Sequence, residues 1–219
     1  MYLATIAYKM DEKRLQKLYE IIQRVFKDSL YALSPPYIFG RFITENPPKE
    51  GVLYAYLKKS KTSNLDQGTT LKVESLFDLK KFLEDIIKRK TSGRALYKAK
   101  IITPMIVSPI ALYMGEEITL PPGPYPDVIS ALITFLRDLG AREYEDIVAS
   151  GLVRLSGYNN LRTRRIDGKE VGVVGEIFVE FLDEAIPLGR FLDGLPFIPL
   201  GEGKERGLGT IVFSEKSSL

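Results

Sequence analysis

Gly201-Glu202-Gly203-Lys204-Glu205-Arg206-Gly207-Leu208-Gly209 places four glycines within nine residues. It lies between a short helix expected near Pro187–Asp193 and a last strand expected over Thr210–Phe213. Glycines at this density let backbone amides approach a phosphate without side-chain obstruction. Lys204 and Arg206 add positive charge, and Glu202 and Glu205 cancel it formally. The spacing alone leaves two readings open, a phosphate cradle or a mobile turn ahead of an ordinary edge strand. No Gly-Lys-Ser/Thr follows, so this is not a P-loop. It does not open a helix after a strand, so it is no dinucleotide fingerprint either.

Working backwards from the loop, Val171–Leu182 reads as a strand, with Ile177, Val179 and Phe181 alternating against Glu176, Phe178 and Glu180. Before it comes Tyr158-Asn159-Asn160-Leu161-Arg162-Thr163-Arg164-Arg165-Ile166-Asp167-Gly168-Lys169, read as a basic loop after a strand at Leu152–Leu155. Three arginines and a lysine against one aspartate give it a net charge of +3, equal to that of the whole chain. Positive charge is therefore concentrated here and balanced elsewhere. Arginine clusters hold phosphate through bidentate hydrogen bonds, and Asn and Tyr can contact unpaired bases. The alternative is a solvated hairpin tip.

Farther back, a helix is expected from Pro126 in its first turn to Gly140, with Val128, Leu132, Phe135, Leu136 and Leu139 apolar. Lys98–Val107 and Ala111–Leu120 read as strands around Ser108-Pro109, with a hairpin at Gly115, followed by the loop Pro121-Pro122-Gly123-Pro124. The first half opens with a strand over residues 1–9. Asp11 then caps a helix running to about Asp28, with Leu15, Leu18, Ile22, Val25 and Phe26 on one face. Ser34-Pro35-Pro36 breaks the chain. Tyr37–Thr44 and Val52–Leu57 read as strands separated by the turn Asn46–Gly51, with a polar loop over Ser60–Gly68. Ser75 is read as the cap of a second helix carrying Phe77, Leu79, Phe82 and Leu83, and Leu96–Thr103 as a closing strand.

Strand-helix-strand-strand-helix-strand is the split βαβ, ferredoxin-like order. The second half has a similar outline. The expected fold class is α+β, two tandem ferredoxin-like (RRM-like) domains with antiparallel sheets, one over residues 1–93 and one over 94–219.

Composition narrows the chemistry. The chain of 219 residues contains no cysteine and no histidine. That removes disulfides, thiol nucleophiles, the usual zinc ligands and the usual general acid/base together. Any catalysis must run on Lys, Arg, Tyr, Ser or carboxylates. No apolar run reaches the ~18–20 residues of a membrane span. The apolar N-terminus reads as a strand and not a signal peptide, so a cytoplasmic address is expected. The carboxylates show no metal-ligand spacing, and neither metal nor cofactor is expected.

On the first helix, Lys13, Lys17, Glu20, Arg24 and Lys27 fall within one arc opposite the apolar face. This is either a solvated face or a basic stripe with a single acid to balance it. Tyr31, beside the Pro-Pro break, is a polar aromatic close to that helix.

Together these segments resemble CRISPR-associated proteins of the RAMP superfamily, and within it the Cas-six family of endoribonucleases that process CRISPR repeat transcripts. The resemblance rests on Gly201-x-Gly203-x-x-Arg206-Gly207-x-Gly209 followed by a strand. Gly175-Glu176-Ile177-Phe178-Val179-Glu180-Phe181 and the Ser108-Pro109…Leu120-Pro121-Pro122 segment support it. It is strongest from about Lys98 onward. It implies two ferredoxin-like domains, precursor CRISPR RNA as partner, other CRISPR effector subunits as further partners, no membrane, and a monomer or homodimer. The implied reaction is metal-independent, with the RNA 2′-hydroxyl attacking the adjacent phosphate to leave a 2′,3′-cyclic phosphate.

Many members of that family use a histidine after the first helix as general base; here the region reads Tyr31-Ala32-Leu33-Ser34. Some archaeal members also lack the histidine, and some bind repeats without cutting them. For catalysis the resemblance points to Arg14, Lys17 and Tyr31. For RNA binding it points to Lys13, Arg162, Arg164, Arg165 and Lys169, and in the loop to Gly201, Gly203, Lys204, Arg206, Gly207 and Gly209. Three functions compete: a histidine-free repeat-processing endoribonuclease, a non-catalytic repeat binder or structural subunit, and a ferredoxin-like interaction protein with no RNA role.

Overall fold

The computed structural model describes residues 1–15, 17–34, 38–39, 42–43, 48–60, 70–88, 91–106, 128–166 and 170–216. The chain forms two compact units, Met1–Leu79 with Lys204–Gly207, and Lys80–Gly203 with Leu208–Leu219.

In the first unit, β1 (Tyr2–Lys9) buries Ala4, Ile6 and Tyr8 in strict alternation. Asp11 starts the helical segment as expected, its carboxylate Oδ1 accepting the Arg14 backbone N–H at 2.9 Å. The single helix expected from the periodicity is two pieces, α1 (Glu12–Leu15) and α2 (Leu18–Val25), because Lys17 departs from helical geometry at φ −109°, ψ 10°. The apolar face survives the break. Leu15, Leu18, Ile22, Val25 and Phe26 are buried in one core with Ile6, Leu33, Leu53, Leu57 and Leu71.

The remaining strands are β2 (Leu30–Ser34), the small hairpin β3 (Ile38–Phe39) and β4 (Phe42–Ile43), β5 (Glu50–Leu57) and β6 (Thr70–Asp78). The main sheet runs β2-β5-β1-β6, antiparallel throughout. Its strands therefore lie fourth-first-third-second, the ferredoxin-like order.

Two expectations change here. The strand that closes this sheet is β6 and not Leu96–Thr103, and the helix expected from Ser75 begins only at Leu79 as α3 (Leu79–Ile87). Leu71 and Val73 carry the period-two pattern of a strand, and pairing with β1 runs from Lys9↔Thr70 to Tyr2↔Asp78, so the helical spacing of Leu79, Phe82 and Leu83 does not extend back to Ser75.

The second unit contains β7 (Arg94–Met105), α4 (Val128–Leu139), the short α5 (Glu145–Ile147), β8 (Val153–Ile166), β9 (Glu170–Leu182), α6 (Ile186–Asp193), β10 (Ile198–Pro199) and β11 (Thr210–Glu215). The sheet order β10-β11-β7-β9-β8 repeats the fourth-first-third-second arrangement of its four long strands, with β10 added at the edge. The expected closing strand Leu96–Thr103 lies within β7, between β11 and β9 of this sheet. Gly93 falls inside this unit at φ +118°.

Tyr97 and Phe181 meet edge to face at 5.3 Å under α6, and Phe82 of α3 packs on Phe191 at 5.7 Å. Tyr97, Phe181 and Phe191 are fully buried, and each stabilises the fold by roughly 1.5–3 kcal/mol. The architecture is α+β, with two antiparallel ferredoxin-like sheets.

The basic stretch read as a loop is mostly strand. β8 continues through Arg165, with Leu161, Thr163 and Ile166 buried and Arg162, Arg164 and Arg165 exposed. Register shifts at Leu155/Gly157 and Asn159/Arg162 reset the alternation twice, which hides the strand from a simple period-two reading. Lys169, the Ala111–Leu120 strand with its Gly115 hairpin, the Ser108-Pro109 and Pro121–Pro124 segments and Pro126 lie outside the described residues. No described helix is long and apolar enough to cross a membrane.

Candidate nucleic-acid interface

The glycine-rich loop has a stem and a tip with different roles. In the stem, Gly201 and Gly209 adopt φ +79° and +66°. A Cβ on Gly209 would lie 1.7 Å from the Leu200 carbonyl oxygen, and one on Gly201 2.3 Å from that of Ile106. Both positions thus require glycine for backbone packing within the second unit. The amides of Glu202, Gly207, Leu208 and Gly209 donate to the carbonyls of Ile106, Lys204, Gly203 and Pro104 at 3.0–3.2 Å. Those four donors are engaged inside the protein.

The tip is a single 3-10 turn, Lys204–Arg206, and it belongs to the first unit. Tyr19 of α2 donates its hydroxyl hydrogen to the Glu205 carbonyl. With the backbone held there, the Lys204 ammonium stands 5.0 Å from the centroid of the Tyr31 ring. A second ammonium, that of Lys58 just beyond β5, lies 5.9 Å from the same centroid. Tyr31 is half-buried on β2, its ring set edge-on against the fully buried Tyr56 at 6.5 Å. Burial pushes the Tyr56 phenol far above its ordinary range, so it serves as a neutral platform.

Two ammonium groups over one aromatic ring make a compact cationic surface. Such contacts are electrostatic, worth about 0.5–1 kcal/mol each at exposed sites.

Tyr31, Lys204 and the tip are thus gathered together. Lys58 and Tyr19 complete the group and were not anticipated. For Lys58 the deciding fact is strand register: it follows Leu57, the antiparallel partner of Leu30, and its backbone N–H donates to the Ser29 carbonyl at 2.6 Å, while the register shift between Leu30 and Ala32 falls at Tyr31. No sequence pattern carries that information. Tyr19 sits on a helix whose neighbouring charges draw attention away from it.

The first-helix bases are arranged differently. Lys13 and Lys17 are exposed, Arg14 is half-buried at the α1–α2 junction, and Glu20, Arg24 and Lys27 are exposed as expected.

In the second unit, Arg162 and Arg164 project from β8 opposite Val174 and Gly172 of β9, and Arg165 is exposed beside them. Beside Arg162, a cavity of about 540 Å³ is lined by Lys100, Asn160, Val174, Gly175 and Glu176 among others. Asn159 donates an amide hydrogen to Glu176 at 3.3 Å, and that hydrogen bond, then the nearby Lys98, holds the Glu176 carboxyl below its ordinary value.

No family model and no curated protein matches the chain. Solved structures do. The Cas6 (TTHA0078) substrate mimic complex aligns at TM-score 0.52 with 12% identity, over 98% of this chain and 100% of that one. The Cas6 (TTHB231) product complex, a Thermus thermophilus protein, aligns at 0.50 with 13% identity, over 98% of this chain and all of that one. The chain has the Cas6 fold. A partial Cas6-RT-Cas1–Cas2 complex aligns at 0.56 with 12% identity, over 99% of this chain and 46% of its partner in the comparison. The Cas6 likeness spans both ferredoxin-like sheets, the first included, although the sequence resemblance is concentrated after Lys98.

Proposed function

We propose that this chain binds CRISPR repeat RNA and cuts precursor CRISPR RNA without a metal ion. The observation that carries the reading is the cluster of Lys204 and Lys58 over Tyr31, assembled from the C-terminal loop and the second and third strands of the first sheet. The Cas6 fold over nearly the whole chain, shared with a product complex and a substrate mimic complex, supports it.

In the proposed reaction the 2′-oxygen attacks the adjacent phosphorus and the bond from phosphorus to the 5′-oxygen breaks. The products are a 2′,3′-cyclic phosphate and a 5′-hydroxyl, and the proton lost by the 2′-hydroxyl is matched by one gained at the leaving oxygen. Lys204 and Lys58 neutralise charge on the pentavalent phosphate, as fixed cations do. Tyr31 offers a hydroxyl for proton transfer, with Arg14 and Lys17 as further cations. Orientation of the 2′-hydroxyl in line with the leaving oxygen supplies much of the rate. Arg162, Arg164 and Arg165 hold the RNA backbone from the second unit.

The test is incubation of the protein with repeat RNA in EDTA. A single defined cut with a cyclic phosphate end, abolished by 2′-deoxy substitution at the cut, is the expected result. The absence of histidine favours a second reading, a repeat binder that does not cut. It is selected if the RNA is bound tightly and recovered intact after long incubation. The match to a Cas6-RT-Cas1–Cas2 complex supports other CRISPR proteins as additional partners.

A further inference from the structure

The sheet of the second unit has a face away from its helices, and that face has a composition of its own. Tyr97, Ala99 and Ile101 of β7, with Ile177, Val179 and Phe181 of β9, are buried. The residues between them point the other way. Ladder register sets Ser214, Lys98, Phe178 and Gly157 in one row, and Val212, Lys100, Glu176 and Asn159 in the next. At the centre is a large aromatic, Phe178, outside the core and half-buried. Lys216 holds its ammonium 4.9 Å from the centre of that ring, and Gly157 leaves the flank of the ring open on the β8 side. Lys98, Lys100, Arg154 and Lys216 stand on this face against two acids, Glu176 and Glu180.

The cavity beside Arg162 opens on the same face. Glu176 lines it, two residues from Phe178 along β9. Two residues of strand span about 7 Å, so ring and cavity stand one extended nucleotide apart. A volume of about 540 Å³ admits a base and its sugar, and Lys100 and Arg162 on its rim provide the charge for a phosphate.

We propose that this face binds single-stranded RNA, one base stacked on Phe178 and the next seated in the Lys100–Arg162 cavity. A sheet-mounted aromatic ringed by lysines takes unpaired bases because only an unstacked base can lie flat on it. The excess of cations selects a polyanion over an acidic or neutral protein surface. Lys216 holds the ring in the free protein as the weaker partner, and it transfers to a phosphate when a base takes its place. The site is separate from the Tyr31 cluster and extends recognition to unpaired nucleotides.

The chain contains no tryptophan, so Phe178→Trp installs a single reporter at the ring. Titration with an unstructured oligouridine is expected to quench that fluorescence. Phe178→Ala is expected to weaken oligouridine binding about tenfold, and Lys100→Ala severalfold. Phe178 faces away from the core, and the tryptophan variant keeps an aromatic there, so the test does not depend on the alanine variant folding. An unquenched tryptophan at RNA concentrations that saturate binding overturns the proposal, whatever the repeat-cleavage assay returns. Lys204→Ala alters the loop cluster and leaves this face intact. It is expected to preserve the quenching, and loss of quenching in that variant counts against a separate site.

Discussion

The Lys204 ammonium lies 5.0 Å from the centroid of the Tyr31 ring, so a loop cation and a strand aromatic form one surface. Lys204→Ala is expected to weaken repeat-RNA binding and to lower the slope of log K against log salt by about one, the signature of one lost phosphate contact. Tyr31→Phe keeps the ring and is expected to hold affinity within about twofold, whereas Tyr31→Ala removes the platform of both lysines. Binding titrations at several salt concentrations read out all three.

Tyr19 anchors the tip through the Glu205 carbonyl. Tyr19→Phe removes that bond while keeping the buried part of the ring. A loss of about 0.5–1.5 kcal/mol in stability is expected, together with faster hydrogen exchange of the Lys204–Arg206 amides. Denaturant unfolding and exchange mass spectrometry measure the two effects, and unchanged exchange at the tip would show that Tyr19 does not hold it.

Gly209 has a structural role that RNA binding does not require. A Cβ there collides with the Leu200 carbonyl at positive φ, so Gly209→Ala is expected to cost more than about 2 kcal/mol. Thermal unfolding without RNA detects this. A variant as stable as the parent, but weakened in RNA affinity, would return Gly209 to the phosphate-cradle reading.

Arg162 and Arg164 project from one strand with Thr163 buried between them. Each arginine-to-alanine change is expected to leave the melting temperature unchanged, since exposed charges contribute little to stability. Each is expected to reduce the salt slope of RNA binding by about one. Unaltered slopes would assign the row to solvation alone.

The parts of this fold legible in the sequence are those with an undisturbed period. Ile177, Val179 and Phe181 alternate without interruption and β9 was evident; Asp11 caps the first helix where its side chain required. Two bulges shift the phase of β8 and hide its second half, and the Ser75 cap signal ahead of Leu79, Phe82 and Leu83 masks the last residues of β6. The cluster around Tyr31 was half visible. Tyr31 and Lys204 stood out by residue type and position, while Lys58 and Tyr19 depend on pairing register and on a main-chain carbonyl, which side-chain identity does not encode.

The tip Lys204–Gly207 belongs to the unit formed otherwise by Met1–Leu79. During synthesis, at roughly 5–20 residues per second, the first unit emerges from the ribosome well before Lys204 exists. Its sheet and core can form early, but the cationic surface over Tyr31 cannot. Any RNA affinity that depends on this surface is switched on only after the second unit has been translated, so a chain that stops short of Lys204 lacks that site.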